Sequence, residues 1–400
     1  MAFNQSFTQY LGGLENAINN KDGRRLGRLL SIRDSHIQNP GLKQREDVIH
    51  HYVCQRFVPP YVDLVADHMK VIAAINHYDP RHAFDAQLGL MHSFARALQS
   101  HKDENWGILT MYVVISELTA LAFRVYYYSK GKSTDVLEKT AEALMNCFRV
   151  CAGDSRSALE NSKKWGMLGI VNNLFKIYFK LNKLHLCKPL TRAISSAAIK
   201  DDFLKSHIVT YRYYVGRKAM FDSQFKEADE NLSFAFNHCH VASRKNKRLI
   251  LMYLLPVKMM LGYIPSNKLL SKYRLTQFIE IASAVKIGNL LKFNQAIEKH
   301  QKFLIRCGVY LMLERLKMLI FRNLFKKVFL LMQTYQLPIS AFVVALSSMQ
   351  EEGIDADEVE CILANLIYTG YVRGYISHQH QKLVVSKQNP FPVPSQVAIR

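Results

Sequence analysis

Four hundred residues, 49% of them hydrophobic, suffice for one large or two medium cores and exclude bulk disorder. The 53 Lys and Arg against 32 Asp and Glu leave a formal charge of +21, which attracts polyanions or acidic proteins without choosing between them. Seven scattered cysteines, Cys54, Cys147, Cys151, Cys187, Cys239, Cys307 and Cys361, fit reduced core thiols of an intracellular protein and argue against a disulfide framework.

The first residues, Met1-Ala-Phe-Asn-Gln-Ser-Phe7, lack a basic region leading into an apolar core, so no secretory signal is expected. From about residue 5 to residue 300, apolar residues recur three and four apart between short polar turns, with almost no strand-type alternation. The clearest unit places Trp165, Leu168, Val171, Leu174, Phe175, Tyr178 and Phe179 on one helix, turns at Leu181-Asn-Lys183, and continues with Leu186, Leu190 and Ile194. A second pair carries Ile208, Tyr211, Val215 and Ala219, then Phe225, Ala228, Leu232 and Ala235 after a turn near Asp222-Ser223. Later pairs over 246–273 and 275–306 give a loose period of roughly 35 to 40 residues, as in tetratricopeptide-like solenoids. The most apolar run, Leu249 to Ile264, is shorter than the roughly 20 residues of a spanning helix and is broken by Pro256 and Lys258, so a buried helix is expected and membrane insertion is not.

Tyr310, Leu313, Leu316, Ile320, Leu324 and Val328 then form one helical stripe, Gln336-Leu-Pro338 breaks it, and Ile339 to Met349 gives a further helix. Asp355 is placed to cap a third helix with Glu358 completing a capping box, and Val359, Ile362, Leu363, Leu366 and Ile367 mark its buried face up to Gly370. Two β-prone runs, Tyr371 to Ser377 and Lys382 to Ser386, flank the polar turn His378-Gln-His-Gln381. Three helices and a hairpin make a winged helix, a module that binds nucleic acid or other subunits. The tail Asn389-Pro-Phe-Pro-Val-Pro394 is expected to be extended. The expected fold is therefore mainly α: a right-handed helical, tetratricopeptide-like solenoid running into a C-terminal winged helix.

That architecture is the pattern of the PCI domain, a scaffold module of the proteasome lid, the signalosome and translation initiation factor three. Longer strings carry a narrower resemblance: Ser162-Lys-Lys-Trp-Gly-Met167, Asn182-Lys-Leu-His-Leu-Cys-Lys-Pro189, Tyr213-Tyr-Val-Gly-Arg-Lys-Ala-Met-Phe-Asp222, Arg322-Asn-Leu-Phe-Lys-Lys327 and the segment Gly374 to Pro390. They resemble the PCI subunit of the nuclear transcription-and-mRNA-export complex, densely from about residue 100 to 392. The resemblance implies an N-terminal helical repeat region over 1–205, the helical part of the PCI domain over 206–308, its winged helix over 309–392 and a tail over 393–400. It further implies a non-enzymatic subunit of the nucleus and the nuclear pore, with cytoplasmic presence left open. Its partners would be a large germinal-centre-associated export scaffold, a small acidic disordered subunit shared with the proteasome lid, and messenger RNPs. The alternative is a pure assembly scaffold of lid or signalosome type that does not touch nucleic acid.

Among candidate sites, Arg322, Lys326 and Lys327 stand at i, i+4 and i+5 of a helix, and with Arg373, His378, His380, Lys382 and Lys387 they are expected to form a basic surface that grips RNA or DNA backbones without reading sequence. The run Arg244, Lys245, Lys247 and Arg248 is expected in a loop between helices, where it would serve an acidic partner, RNA, nuclear import or only solvation. Lys163 and Lys164 beside Trp165 invite a similar electrostatic reading. Cys147, Cys151 and His238-Cys239-His240 lack the paired spacing of a zinc site, so no metal and no cofactor is assigned. No GxSxG, GxxxxGK, GxGxxG or HExxH pattern is present, and no catalytic residue is assigned.

Overall fold

The computed structural model describes residues 6–42, 46–76, 79–101, 104–154, 158–199, 202–349 and 353–397, and the chain divides into two compact units, 1–214 and 215–400. The first unit is built from α1 (Phe7–Asn19), α2 (Gly23–Leu29), α3 (Glu46–Arg56), α4 (Tyr61–Asn76), α5 (Pro80–Ser100), α6 (Ile108–Tyr128), α7 (Thr134–Ala152), α8 (Met167–Leu181) and α9 (Cys187–Ser195). Consecutive helices from α4 to α8 pack on each other, as a stack of helix pairs requires. Local signals set the boundaries: the Asp79 side chain accepts from Arg81 N at 2.9 Å ahead of Pro80, and α8 ends where Asn182 turns left-handed at φ 56°. The helix α6 is long and apolar enough by composition to cross a membrane, yet 61% of its most apolar window is buried against its neighbours, which makes it the core helix of this unit.

A buried polar pair lies near the amino end of that core. Tyr10 donates to the Leu29 carbonyl at 2.5 Å, and His68 Nε2 lies 3.0 Å from the Tyr10 hydroxyl with no solvent exposure. Burial holds His68 down to a pKa of about 3, so the fold keeps the neutral imidazole.

The helix α10 (Lys205–Phe221) leads into the second unit, whose helical part comprises α11 (Phe225–His238), α12 (Arg244–Met260), α13 (Asn267–Lys272), α14 (Gln277–Ile287), α15 (Leu290–Lys299) and α16 (Gln301–Cys307). The stripe read as one helix from Tyr310 is divided in two, α17 (Tyr310–Glu314) and α18 (Lys317–Met332), and α19 (Ile339–Ser347) and α20 (Ala356–Tyr368) complete the winged module. The Asp355 carboxylate caps α20 by accepting from Glu358 N at 2.8 Å; Val359, Leu363 and Leu366 are buried, while Ile362 and Ile367 are half-buried.

The wing holds one strand more than the sequence suggested. β1 (Gln336–Pro338), β2 (Gly374–Ser377) and β3 (Lys382–Val385) form an antiparallel sheet in the order β1-β3-β2, with Leu337 opposite Leu383 and Tyr375 opposite Val384. Pro338 fits because β1 is an edge strand, where a missing N–H deprives no neighbour of its ladder bond. At the other edge a Cβ on Gly374 would meet the Val384 carbonyl oxygen at 2.3 Å, so only glycine allows β2 to approach β3 this closely. The tail is not merely extended: Phe391 and Pro392 are buried against the module, and Pro394–Gln396 make a helical turn.

His68 yields a pH prediction. Its folded pKa lies below its unfolded value, so the unfolded chain binds the proton first, and stability is lost as pH falls from about 6.5 toward about 3, by about 1.4 kcal/mol per pH unit where the linkage is complete. Unfolding midpoints between about pH 6 and about pH 4 should fall more steeply for the natural chain than for His68→Gln; parallel curves would contradict this.

Candidate nucleic-acid and partner interface

The residue expected to lead the basic surface is instead a strut. Arg322 is 4% exposed; its guanidinium donates to the Phe391 carbonyl at 2.7 Å, the Pro392 carbonyl at 2.6 Å and Asn323 Oδ1 at 2.8 Å, and stands 6.0 Å over the Phe391 ring. Burial pulls its pKa below the usual arginine range, and the planar fork suits two adjacent carbonyls. Arg322 is therefore corrected from a phosphate contact to the clamp that holds the tail. Phe329, two turns along α18, packs on Phe391 with ring centres 5.6 Å apart and extends the same seam.

The other cations divide by where the fold puts them. On α18, half-buried Lys326 lies between Arg322 and Phe329 in the helical period, on the tail side, while exposed Lys327 lines a groove against α19. Arg373 and Lys387 are exposed at the base of the wing, where Ser386 N donates to the Arg373 carbonyl at 2.8 Å. Exposed His380 and half-buried Lys382 stand at its tip, about 10 Å away along a four-residue strand. Among the described residues Lys326, Lys327, Arg373, Lys382 and Lys387 make no ion pair. His378 differs: its Nδ1 lies 2.8 Å from Glu360 Oε2, and that hydrogen bond raises its pKa, so the ring already has an internal carboxylate partner.

The basic run before Leu249 opens a helix where a loop was expected. Arg244 is the first residue of α12, and Lys247 is 9% exposed, donating to the Phe236 carbonyl at 2.8 Å with its ammonium 4.6 Å from the Phe236 ring. That anchoring into α11 overrides the hydrophilic character of the run and removes Lys247 from the ligand-binding candidates. Arg244 and Lys245 are exposed, and half-buried Arg248 makes a long bond of 3.4 Å to the Arg274 carbonyl. Lys163 is likewise structural, 6% exposed and bonded to the His101 carbonyl, and Trp165 donates to the Leu159 carbonyl at 2.8 Å.

The cysteines split the same way. Cys147, Cys151, Cys187 and Cys239 are buried thiols, Cys307 is half-buried, and Cys54 and Cys361 are exposed, contrary to the expectation of core positions. Burial pushes Cys151 up to about 12. His238 stacks on Phe234 at 4.0 Å and gathers no metal ligands, and among the described residues no three His, Cys, Asp or Glu converge.

An apolar groove escaped sequence reading. It measures about 520 Å³ between α18 and α19, with Leu324, Val328, Leu331, Ala341 and Val344 in its walls and Lys327 at its rim. Leu331 is 82% exposed and Val344 68%, beside exposed Leu330 and Met332. The signal was present: Leu330-Leu331-Met332 is a run that no single helix can turn wholly inward.

Stacked helix pairs that end in a three-stranded winged helix define a PCI-type protein, and a PCI domain model matches residues 297–387. The chain is 51% identical to PCI domain-containing protein 2 of Danio rerio over 398 residues, 98% of this chain and 99% of the relative. It is 52% identical to the Xenopus laevis protein of the same name over 397 residues, again 98% and 99%. A Schizosaccharomyces pombe protein named Protein CSN12 homolog is 32% identical over 375 residues, 88% of each chain. This chain belongs to the PCI domain-containing protein 2 family.

If Arg322 is a strut, Arg322→Met should destabilise the second unit by about 2–4 kcal/mol, because two buried carbonyls lose their donors, and should expose residues 389–397 to proteolysis. Lys326→Gln should change stability by less than about 0.5 kcal/mol. Full stability of Arg322→Met combined with weakened RNA binding would return Arg322 to the surface.

Proposed function

We propose that this chain is a non-enzymatic scaffold and adaptor subunit of an mRNA export complex at the nuclear pore. Its winged helix packs against a large export scaffold of the germinal-centre-associated type, and its exposed wing cations hold RNA without reading sequence. The observation that carries the reading is the α18–α19 groove, where Leu331 and Val344 stay 82% and 68% exposed beside cations with no carboxylate partner among the described residues. An exposed apolar groove of this kind marks a protein interface, and point charges beside it grip phosphates. A small acidic disordered subunit would find Arg244 and Lys245 exposed at the start of α12, where basic residues oppose the helix dipole and gain from an anionic neighbour.

A second reading, a pure assembly scaffold without direct RNA contact, draws on the same groove and on the internal commitment of Arg322 and His378. Two variants of the partner-bound complex separate them. Arg373→Glu with Lys387→Glu should weaken binding of a short unstructured RNA and reduce the steepness of its salt dependence, by about 0.7 in log–log slope per lost phosphate contact, while the complex stays intact. Leu331→Asp with Val344→Asp should abolish assembly and leave the helical content unchanged. RNA binding indifferent to the charge reversal would leave the chain as scaffold alone.

A further inference from the structure

The helix α6 presents an outward stripe with no acidic residue on it: Leu109, Val113, Ser116, Ala120, Phe123 and Tyr127, each exposed or half-buried. Their spacing of four and three keeps them on one face, and five full turns separate Leu109 from Tyr127, a run of about 27 Å. Cations flank both ends. At the first, α2 packs closely against the start of α6: a Cβ on Gly23 would fall 1.9 Å from the Trp106 carbonyl oxygen just ahead of it, and one on Gly27 3.4 Å from Thr110 Cα within it. Gly23 and Gly27 face α6, so Arg24 and Arg28, one residue further round α2, line an open cleft of about 450 Å³ with Arg33, Leu109 and Val113.

At the second end, α8 lays Lys176 4.9 Å from the Phe123 ring and Lys180 4.9 Å and 5.0 Å from the rings of Tyr126 and Tyr127. Burial, and after it the charge of Arg33, lower the pKa of Lys176. Among the described residues Arg24, Arg28, Arg33, Lys176 and Lys180 make no ion pair. Two carboxylates lie nearby: Glu117 is buried, accepts from Ser31 Oγ at 2.6 Å and Ile32 N at 3.1 Å and feels the charge of Arg33, and Asp34, in the cleft wall, accepts from Ser35 N at 2.8 Å.

We propose that this face of the N-terminal unit is a second nucleic-acid surface, on which a single strand lies along α6 with its phosphates held by Arg24, Arg28, Arg33, Lys176 and Lys180 and its bases against Phe123 and Tyr127. Five cations gathered around two carboxylates are relieved by a polyanion, and the half-buried Phe123 and exposed Tyr127 rings between them give bases a stacking partner that an acidic peptide would not use. At roughly 3.4 Å per stacked nucleotide, 27 Å accommodates about eight. The proposal is independent of the wing, which lies in the other unit.

The test uses the full chain and a fluorescent ten-nucleotide unstructured RNA, with anisotropy read across a salt series. Arg24→Ala with Arg28→Ala should reduce the log–log salt slope by about 1.4, from two phosphate contacts at about 0.7 each. Tyr127→Ala should weaken binding roughly 5- to 150-fold with the slope unchanged, as loss of one stacked base requires. The wing variant Arg373→Glu with Lys387→Glu, assayed alongside, should leave a residual affinity that the α2 pair then removes. Binding carried wholly by the wing residues, with both N-terminal variants unaffected, would overturn this inference and leave the proposed function standing. Displacement of the RNA by polyglutamate as readily as by unlabelled RNA, with Tyr127→Ala silent, would overturn it in favour of an acidic protein partner.

Discussion

The winged module depends on one buried cation. An arginine taken out of water needs partners for its donors, and the two terminal nitrogens of Arg322 find them in the Phe391 and Pro392 carbonyls and Asn323, while its Nε is buried without one. Because those carbonyls lie about 70 residues on, the bond ties α18 to the end of the chain and seats Phe391 on Phe329. Asn323 in turn donates to the Val285 carbonyl at 2.7 Å, so the same turn of α18 is fixed to α14. With that face of α18 committed inward, the helical period sends Lys327 and Leu331 outward, and the groove beside α19 follows from the clamp.

The charge surplus divides along similar lines. Lys163, Lys247 and Arg322 spend their charge on backbone carbonyls, and Lys247 and Arg322 add aromatic rings, so they stabilise helix ends, turns and the tail. Others form no ion pair among the described residues: the cations at the wing base, at the rim of the α18–α19 groove, at the start of α12 and along the α6 stripe. A positively charged protein of this kind keeps part of its surplus for its own architecture.

What the sequence made legible was what local physics controls. The α20 helix, its Asp355 cap and the hairpin that follows are short-range events, written in adjacent residues. β1 was not legible, because three residues ending in proline become a strand only through pairing with β3, some 45 residues away. Arg322 looked like a surface residue for the same reason, since basic spacing on a helix does not reveal a partner in the tail. The run from Arg244 to Arg248 reads as loop until the Phe236 ring and carbonyl are in place to receive Lys247. The apolar groove was written in Leu330-Leu331-Met332, but an exposed apolar run declares an interface only once the neighbouring helix is seen to leave it uncovered.

Hydrogen exchange of the chain alone, in its native complex, and in that complex with RNA tests this account most directly. The account predicts that assembly slows exchange across 317–349, that RNA slows it further over 371–388, and that residues 389–397 are protected in all three states because the clamp is internal. Tail amides that gain protection only on assembly, with 317–349 unchanged, would show that the partner holds the tail and that the groove is not where the complex forms.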